Sequence, residues 1–452
     1  MSDTDTIYAR ASAPGKAGVS VYRLSGAGVN SIAKALIGEV PEPRLAMLNS
    51  LTGEGGAALD KALVIFFAGP KSFTGEDTLE LHCHGSRAVE GELYNRLSGL
   101  GARPAEPGEF TLRALKNGKM DLPEVEALAD LIDSETIRQK NLALSQLEGS
   151  LSDKVLAWRA LLLKILTPLA ADIDFPDEGD VPAAIASNAL PAIGELSDEL
   201  WSALASAKSG KVIREGLQVV LLGPPNAGKS SLMNLLVGSD MAIVSDQPGT
   251  TRDVIEATLD IAGMAVCLFD TAGLREGSDD AIELEGMRRT KERAADAGLR
   301  ILVLDGMIVS RETLTDESLI REYGLRSGDV VVLNKVDLWE GPIGDFSQSA
   351  FSWISISAKS GVGLGGLVSQ IERVFQDHSF IPSSGLLNRE RHVQAVSSAL
   401  EALSRAKENV LVYPELAAED LRLADRAFSR LVGVIDVEEV FGEIFSSFCI
   451  GK

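Results

Sequence analysis

The sequence contains few cysteines and few aromatic residues. Aromatic side chains make up 5% of the 452 residues, and the three cysteines lie far apart, at Cys83, Cys267 and Cys449. An odd number of widely spaced cysteines excludes a disulfide framework and is typical of a reducing compartment. We therefore expect free thiols and a fold stabilised by an ordinary apolar core.

Long apolar runs and a basic leader are also absent. The most apolar stretch, LAWRALLLKILTPLA, is interrupted by Arg159, Lys164 and Pro168, so it does not predict a membrane span. The opening residues, MSDTDTIYAR, carry aspartates where a signal or transit peptide would carry basic residues. These features predict a cytoplasmic protein with no membrane partner.

Positive charge is scarce. The chain has 43 Lys and Arg against 65 Asp and Glu, which gives a net charge of −22. Because nucleic acids are held mainly through their phosphates, a chain of this sign would not bind them by charge alone. A nucleic-acid partner is still possible if a second protein supplies the basic surface.

Changes in residue pattern divide the chain into four segments. DTLELHCHG alternates apolar and polar residues, as a strand does, and lies in an α+β segment at 1–118. The chain from Leu144 to Ile165 carries apolar residues at steps of three and four, which predicts one long packed helix. We predict a helical domain in two halves, 119–212 and 381–452, interrupted by an inserted α/β domain at 213–380.

The inserted segment opens with a phosphate-binding pattern. In QVVLLGPPNAGKSSLMNLL an apolar strand leads into Gly223, then Gly228-Lys229-Ser230, then a helical pattern. This matches G-x-x-x-x-G-K-[ST] in the strand–loop–helix context that the motif requires. Backbone N–H groups of such a loop bind phosphates, the lysine offsets their charge and the hydroxyl ligates Mg²⁺. The candidate nucleotide contacts here are Asn226, Ala227, Gly228, Lys229, Ser230 and Ser231.

Four further motifs follow in the order of a Ras-like GTPase. They are SDQPGTT, FDTAG at the end of a strand, NKVD at the end of another, and SAK. The Asp337 carboxylate can accept two hydrogen bonds from the ring N–H and the amine of guanine, a donor pair that adenine lacks. The motifs add as candidate GTP contacts Ser245, Asp246, Gln247, Pro248, Gly249, Thr250, Thr251, Asp270, Thr271, Ala272, Gly273, Asn334, Lys335, Asp337, Ser357, Ala358 and Lys359.

Three positions bear on the hydrolysis mechanism. Thr251 lies in a polar, aperiodic loop typical of a switch that orders with the nucleotide, so Ser230 and Thr251 are the predicted Mg²⁺ ligands. Leu274 follows DTAG where a Ras-type enzyme has a glutamine that orients water. Asn226 is typical of GTPases that use a bound K⁺ instead, or it is a locally satisfied turn residue. The candidate K⁺ contacts are Asn226, Ser245, Gln247 and Thr250.

The flanking segments resemble one family. PGKAGVSVYRLSG, GEDTLELHCHG, RPAEPGEFTLRALKNGKMDLPEVEALADLI, DFPDEGDV and the final FCIGK, together with the GTPase motifs, are similar to the MnmE (TrmE) family over essentially the whole chain. The resemblance implies a folate-binding, dimerising N-terminal domain, a helical domain and a GTPase domain activated by its own dimerisation. It also implies a homodimer that joins an FAD-containing MnmG-type partner in a heterotetramer.

The same resemblance implies an activity and site residues. The activity is addition of a carboxymethylaminomethyl or aminomethyl group to carbon 5 of the wobble uridine of certain tRNAs. The folate would be 5,10-methylenetetrahydrofolate, with 5-formyltetrahydrofolate as an analogue, and its contacts would be Arg23, Glu80, Lys119 and Lys452. The water-positioning glutamate would be Glu283, with Glu285 as a competing register, and Cys449 would act in modification.

A purely structural role stays open as an alternative at several of these positions. Arg23 and Glu80 could form a surface ion pair, and Cys449 could be a buried small apolar residue. For the whole chain the alternatives are a GTP-dependent switch in ribosome assembly and a stand-alone folate-dependent one-carbon transferase. Assembly GTPases usually carry a basic RNA-binding domain, which this acidic chain lacks, and a stand-alone transferase leaves the GTPase motifs without a role.

Overall fold

A computed structural model describes residues 5–174, 182–243, 256–270, 297–307, 316–339, 349–379, 386–434 and Gly451. The chain forms two compact units. The first comprises Met1–Ala129, Leu147–Arg159 and Asp425–Lys452, and the second comprises Asp130–Gln146 and Ala160–Ala424. The four-segment division drawn from the sequence stays a prediction. The predicted fold class, with α+β, helical and α/β parts, is confirmed.

The first unit is built on a six-stranded, mostly antiparallel sheet. Its strand order is β3-β4-β5-β2-β1-β6, and the β1–β6 pair is parallel. The strands are β1 (Ile7–Arg10), β2 (Ala17–Ser25), β3 (Met47–Thr52), β4 (Ala58–Phe67), β5 (Thr78–Gly85) and β6 (Arg103–Pro104). The helices beside it are α1 (Val29–Ile37), α2 (Arg87–Gly99), α3 (Glu109–Lys116) and α4 (Leu122–Ile132), the last of which extends into the second unit.

One face of this sheet carries the apolar core, and the other carries polar groups together with exposed apolar side chains. On β5 the side chains of Leu79, Leu81 and Cys83 are buried, as their alternation with Glu80 and His82 predicts. On β2 the buried residues are Ser20, Tyr22 and Leu24, which leaves Val19, Val21 and Arg23 on the opposite face. The polar candidates for folate binding therefore lie on the face away from this core.

Helix α4 begins at Leu122, directly after Asp121. Asp121 and Glu124 form a reciprocal cap, because Glu124 N donates to Asp121 Oδ1 at 3.0 Å and Asp121 N donates to Glu124 Oε2 at 2.8 Å. The predicted single helix from Leu144 to Ile165 is wrong. The chain forms α5 (Ile137–Leu147) and α6 (Ser150–Asp174), with Gly149 between them at φ 92°. Periodicity alone could not show this left-handed break.

The second unit contains a mostly parallel six-stranded sheet. Its order is β12-β11-β10-β7-β9-β8, and only the β8–β9 pair is antiparallel. The strands are β7 (Leu217–Leu222), β8 (Glu256–Ile261), β9 (Met264–Asp270), β10 (Leu299–Asp305), β11 (Val330–Asn334) and β12 (Ser352–Ser355). The helices of this part are α8 (Lys229–Val237), α9 (Asp316–Tyr323) and α10 (Leu364–Ser379).

Both faces of this second sheet are covered. Apolar residues of α8 and α10 pack on one face, and Leu319 of α9 packs on the other. Burial on both faces explains why these strands are continuous apolar runs such as VVVL. The loops at the carboxyl ends of the parallel strands are the part left for a ligand.

The remaining long helices are α7 (Pro182–Glu215), α11 (Glu390–Asn409) and α12 (Pro414–Leu431). Within the second unit α11 packs along α7. Within the first unit the rings of Trp158 and Phe428 pack with centroids 5.8 Å apart. Of the helices within the described ranges, none combines the length and hydropathy needed to cross a membrane.

Candidate functional site

The loop after β7 requires glycine at two positions. Gly223 has φ 133°, and a Cβ there would lie 2.1 Å from the carbonyl oxygen of Val303. Gly228 has φ 98°, and a Cβ there would lie 2.1 Å from Nδ2 of Asn334. Any side chain at either position would displace the loop, so these glycines fix its path. The loop ends at the N-terminus of α8, where unpaired N–H groups attract anions.

Lys229 and Ser230 start α8 at this edge of the sheet. The Lys229 Nζ donates to the carbonyl oxygens of Gly223 at 2.7 Å and Pro224 at 3.1 Å. Burial lowers the pKa of Lys229, although the charge of Asp270 opposes that shift. The Ser230 hydroxyl donates to Asp270 Oδ2 at 2.9 Å. One cation, one hydroxyl and one carboxylate thus converge beside the helix terminus, a set suited to a Mg²⁺-bound phosphate.

Asn334 joins three of the predicted motifs. Its Nδ2 donates to the carbonyl oxygen of Ala227 at 2.9 Å, and its Oδ1 accepts from Ala358 N at 2.9 Å. The Ser357 hydroxyl donates to Asp337 Oδ1 at 2.6 Å, which fixes the exposed carboxylate of Asp337. The P-loop, NKVD and SAK segments are therefore brought together, with one carboxylate presented to solvent for a base.

Asp305 is a functional candidate that the motif search missed. It ends β10, and its Oδ2 accepts from Lys335 Nζ at 2.6 Å while its Oδ1 accepts from Met307 N at 3.0 Å. Burial would raise the pKa of Asp305, but the bonds from Lys335 and Met307 outweigh it and lower the pKa. The signal in the sequence was an aspartate ending an apolar strand at the same sheet edge as Asp270.

Several predicted residues have few contacts or fall outside the described ranges. Asn226 is exposed in the left-handed region at φ 62°, and Ser231 and Lys359 are exposed. The remaining GTPase candidates lie outside the described residues; they are Ser245, Asp246, Gln247, Pro248, Gly249, Thr250, Thr251, Thr271, Ala272, Gly273, Leu274, Glu283 and Glu285. The same holds for Cys449 and Lys452.

A second candidate site lies on the polar face of the antiparallel sheet. Arg23 and Glu80 are directly paired in the β2–β5 register. The guanidinium of Arg23 donates to Glu80 Oε1 from Nε at 3.0 Å and from Nη2 at 2.9 Å. Arg23 also lies over the ring of Phe73, 5.4 Å from its centroid, and His82 Nε2 is 3.5 Å from Glu80 Oε2. Sequence reasoning named the ion pair and put His82 on the same strand face as Glu80, but it missed Phe73.

Lys119 lies along the loop that carries Phe73. A Cβ at Gly75 would be 3.4 Å from Cγ and Cδ of Lys119, so the lysine stem passes beside this glycine. Asn117 Nδ2 donates to the carbonyl oxygen of Thr74 at 2.7 Å, which ties the end of α3 to the same loop. Loop 73–75 thus connects the Arg23–Glu80 pair with the lysine. Its apolar ring, ion pair and cation are groups that a pteridine with an anionic tail could use.

Charged residues form an ion-pair network that supports loop 73–75. Arg113 contacts Glu76 at 3.1 Å and Glu109 at 2.9 Å, and Arg103 contacts Glu109 at 2.6 Å. Burial would raise the pKa of Glu109, but the hydrogen bonds from Arg103, from the N–H of Glu106 and from Arg113 lower it. The Ser25 hydroxyl adds a bond to Glu76 at 2.7 Å. The network fixes Glu76, three residues after Phe73.

Two family models match the chain. The model described as GTP-binding protein TrmE N-terminus matches residues 6–119, and the MnmE helical domain model matches residues 122–449. The tRNA modification GTPase MnmE of Maricaulis maris is 46% identical over 99% of this chain and 99% of its own. That of Caulobacter vibrioides is 45% identical over 99% of this chain and all of its own length.

A solved structure, the G domain of the T. maritima FeoB iron transporter, is 24% identical and covers 35% of this chain and 98% of that one. Its TM-score is 0.27, too low to support an argument.

Proposed function

The chain belongs to the MnmE family of tRNA modification GTPases, and from that premise we propose which reaction it serves. The proposed reaction adds a carboxymethylaminomethyl or aminomethyl group to carbon 5 of the wobble uridine of certain tRNAs, with GTP hydrolysis driving conformational steps. The observation that supports it best is the convergence of Lys229, Ser230, Asp270, Asn334 and Asp337 around one sheet edge. These groups match the phosphate and base ends of GTP.

Each described residue has a distinct task in the proposed GTP site. The backbone around Gly228 and the N-terminus of α8 would hold the phosphates, and Lys229 would exchange its carbonyl partners for phosphate oxygens. Ser230 and Asp270 fit a Mg²⁺ ion, which would neutralise phosphate charge, with Thr251 as a further ligand. Asp337, held by Ser357, would accept the guanine N–H groups.

Hydrolysis would depend on K⁺ and on dimerisation of the GTPase domain. Leu274 has no polar group to orient water, so another residue must do so, and Glu283 or Glu285 is proposed. The exposed Asn226 fits a K⁺ contact, together with Ser245, Gln247 and Thr250. The K⁺ would neutralise transition-state charge. Hydrolysis measured in K⁺ and in Na⁺ tests this, and equal rates in both would contradict it.

The antiparallel sheet would bind a tetrahydrofolate derivative. Glu80 offers a carboxylate for the N–H edge of a pteridine, Phe73 offers an apolar ring, and Lys119 and Lys452 would contact the glutamyl tail. The natural donor would be 5,10-methylenetetrahydrofolate, with 5-formyltetrahydrofolate as the analogue for binding assays. Cys449 would take part in the modification rather than in GTP hydrolysis.

Two kinds of partner follow from the surface and the charge. The outer face of the antiparallel sheet exposes Val19 at 57% and Leu48 at 72%, and Leu48 pairs with the partly exposed Leu63. These exposed apolar side chains, with Leu48 on the edge strand β3, support a homodimer. The net charge of −22 favours an FAD-containing MnmG-type subunit that supplies most of the tRNA-binding surface. The proposed compartment of the reaction is the cytoplasm.

The deciding experiment is mass spectrometry of wobble uridines in tRNA from cells lacking this protein. The cells are complemented with the wild type, with Asp270→Ala or with Asp316→Ala, an aspartate of α9 that binds Ser349 and Ala350. Modification should return with the wild type and Asp316→Ala only. Unchanged uridines in the deletion strain would overturn the proposal and favour the ribosome-assembly switch. Without that result the switch has no support, because the chain is similar over its full length to tRNA modification GTPases.

A further inference from the structure

Helix α5 is hydrogen-bonded to both chain segments that lead into and out of the part containing the parallel sheet. Gln139 Nε2 donates to the carbonyl oxygen of Arg214 at 3.0 Å, and Gln146 Nε2 donates to that of Leu386 at 3.0 Å. Arg214 lies just before β7, where the chain enters the sheet, and Leu386 lies between α10 and α11, where it returns. Because the two glutamines are seven residues apart, they lie on one face of α5, two turns from each other.

The two connections are also bonded to each other. Arg214 Nε donates to the carbonyl oxygen of Asn388 at 3.0 Å, and Asn388 Nδ2 donates to Gln146 Oε1 at 3.2 Å. Gln146 is 1% exposed and Asn388 is 2% exposed. Buried amides bonded in this way fix one arrangement of the segments that carry them. We call Gln139, Gln146, Arg214, Leu386 and Asn388 the α5 seat.

A third contact links α5 to the start of β9, the strand that ends at the nucleotide edge. Arg138 N donates to the carbonyl oxygen of Gly263, in the turn between β8 and β9, at 3.3 Å. A Cβ at Gly263 would lie 3.7 Å from Cγ of Arg138, so the turn packs closely on the helix. Strand β9 runs from this turn to Asp270, which bonds the P-loop residue Ser230. A single strand of about 20 Å therefore joins the P-loop to α5.

We propose that α5 transmits the nucleotide state of the P-loop to helices α7 and α11, and this rests on the proposed GTPase function. GTP carries one more phosphate than GDP and would hold Mg²⁺ more strongly at Ser230 and Asp270, so the GTP state would replace the Ser230–Asp270 bond and shift the end of β9. The strand is buried in the sheet and moves as a unit, so the shift appears at the Gly263–Arg138 contact. The α5 seat then carries the shift to α7 through Arg214 and toward α11 through Leu386 and Asn388.

Glutamine-to-glutamate variants have nearly the same shape as the wild type. They remove bonds of the α5 seat and keep the bonds that stabilise the start of α5. Gln139 Oε1 accepts from Thr136 N at 3.0 Å and from Glu135 N at 3.1 Å, so Gln139→Glu keeps the cap of α5 and loses only the donor to Arg214. Gln146→Glu likewise keeps its bond from Asn388 and loses the donor to Leu386. Gln370→Glu, on the partly exposed side of α10, is the charge-matched control.

The test is amide hydrogen exchange of the full chain with GDP and with a non-hydrolysable GTP analogue. In the wild type and in Gln370→Glu, exchange of the α5 amides should differ about 10-fold between the two nucleotides. In Gln139→Glu/Gln146→Glu the difference should fall below about 2-fold, with nucleotide affinity unchanged. Gln139→Glu alone, which keeps the helix cap, gives the same direction of change if the double variant is too unstable to study.

Two results would overturn the proposal. One is equal α5 exchange in both states of a wild type that binds both nucleotides. The other is a double variant that keeps the wild-type difference. A chain that binds neither nucleotide would instead refute the GTPase function, so the two failures are distinguishable. Wobble-uridine modification should fall about 10-fold in the double variant, because hydrolysis no longer reaches the helices.

Discussion

The two six-stranded sheets present their candidate sites in different ways. In the parallel sheet the candidate groups lie at strand ends, where Asp270, Asp305 and Asn334 each close a strand. In the antiparallel sheet Arg23 and Glu80 lie within strands and project from one face. A strand-end site depends on backbone path and fixed spacing, whereas a face site depends on which side chains happen to be neighbours. The two sites should therefore respond differently to small changes.

The largest expected effect is a methyl group at Gly228. Gly228→Ala places a Cβ 2.1 Å from Asn334 Nδ2 at φ 98°, so the loop or Asn334 must shift. We expect GTP affinity to fall at least about 100-fold, measured by titration of a fluorescent GTP analogue. Gly365→Ala, at the start of α10 with no atom within 4 Å, should keep wild-type affinity. Retained affinity in Gly228→Ala would show that this backbone path is not required.

Removing the charged pair in the antiparallel sheet should have a smaller effect. Arg23→Ala removes the two bonds that the guanidinium donates to Glu80 Oε1 and leaves Phe73 uncovered. Affinity for 5-formyltetrahydrofolate should fall about 10-fold to 100-fold, measured by calorimetry, because a bond to a charged group contributes about 1.5–3 kcal/mol. GTP binding should not change, since the site lies in the other unit.

Arg44→Ala is the matched control for that change. Arg44 lies over the ring of Phe67, 5.7 Å from its centroid, as Arg23 lies over Phe73. It does not belong to the candidate folate site, so folate affinity should be retained. An equal loss in both variants would mean that the sheet is merely destabilised and that Arg23 and Glu80 form a structural ion pair.

The difference between the sites also explains how much could be predicted. The fold class and the nucleotide motifs could be predicted from the sequence. Gly228 and Asn334 occupy fixed positions in sequence patterns, and the spacing of those patterns follows from backbone geometry. Asp305 was not readable, because an aspartate at a strand end has no fixed spacing from Lys335, which it meets across the β10–β11 pair. Side-chain pairing across strands is a property of register, which the sequence shows only indirectly.

The antiparallel sheet gave fewer readable signals. Alternation predicted that Glu80 and His82 share a face, but nothing in the sequence places the loop residue Phe73 over Arg23. The prediction of one helix through Gly149 is wrong for a related reason. Apolar spacing persists across a two-residue break, so periodicity alone cannot find where α5 ends and α6 begins.

Asp305→Asn tests whether the strand-end site needs its unpredicted member. The amide keeps an acceptor for Met307 but loses the charge that holds Lys335. GTP affinity should fall about 5-fold to 10-fold in a titration, as expected for one charge-assisted hydrogen bond. In a Lys335→Met background the same change should have no further effect, because the two residues act as a pair. Additive losses would show that Asp305 does not act through Lys335.

The smallest expected effect is a loss of stability at low pH. It concerns the charged network that supports the Arg23–Glu80 site and not the strand-end site. The pKa of Glu109 is lowered from its ordinary value of 4.5, because the bonds from Arg103, Glu106 N–H and Arg113 outweigh the effect of burial. A carboxyl group with a lowered folded pKa stabilises fully above its unfolded pKa, and that contribution disappears as pH falls through the folded pKa. The first unit should therefore lose stability below about pH 4.5.

Hydrogen exchange of β1 and β5 amides between about pH 5 and pH 3 measures this loss. Glu109→Gln should flatten the pH dependence by about 1 kcal/mol, because the amide keeps its acceptor oxygen but has no charge to lose. Glu42→Gln, at an exposed position of the same unit, should keep the wild-type slope. If Glu109→Gln also keeps that slope, Glu109 does not provide the acid-sensitive support for loop 73–75. The loop would then depend on the neutral bond from Asn117 Nδ2 to the Thr74 carbonyl oxygen, which is independent of pH in this range.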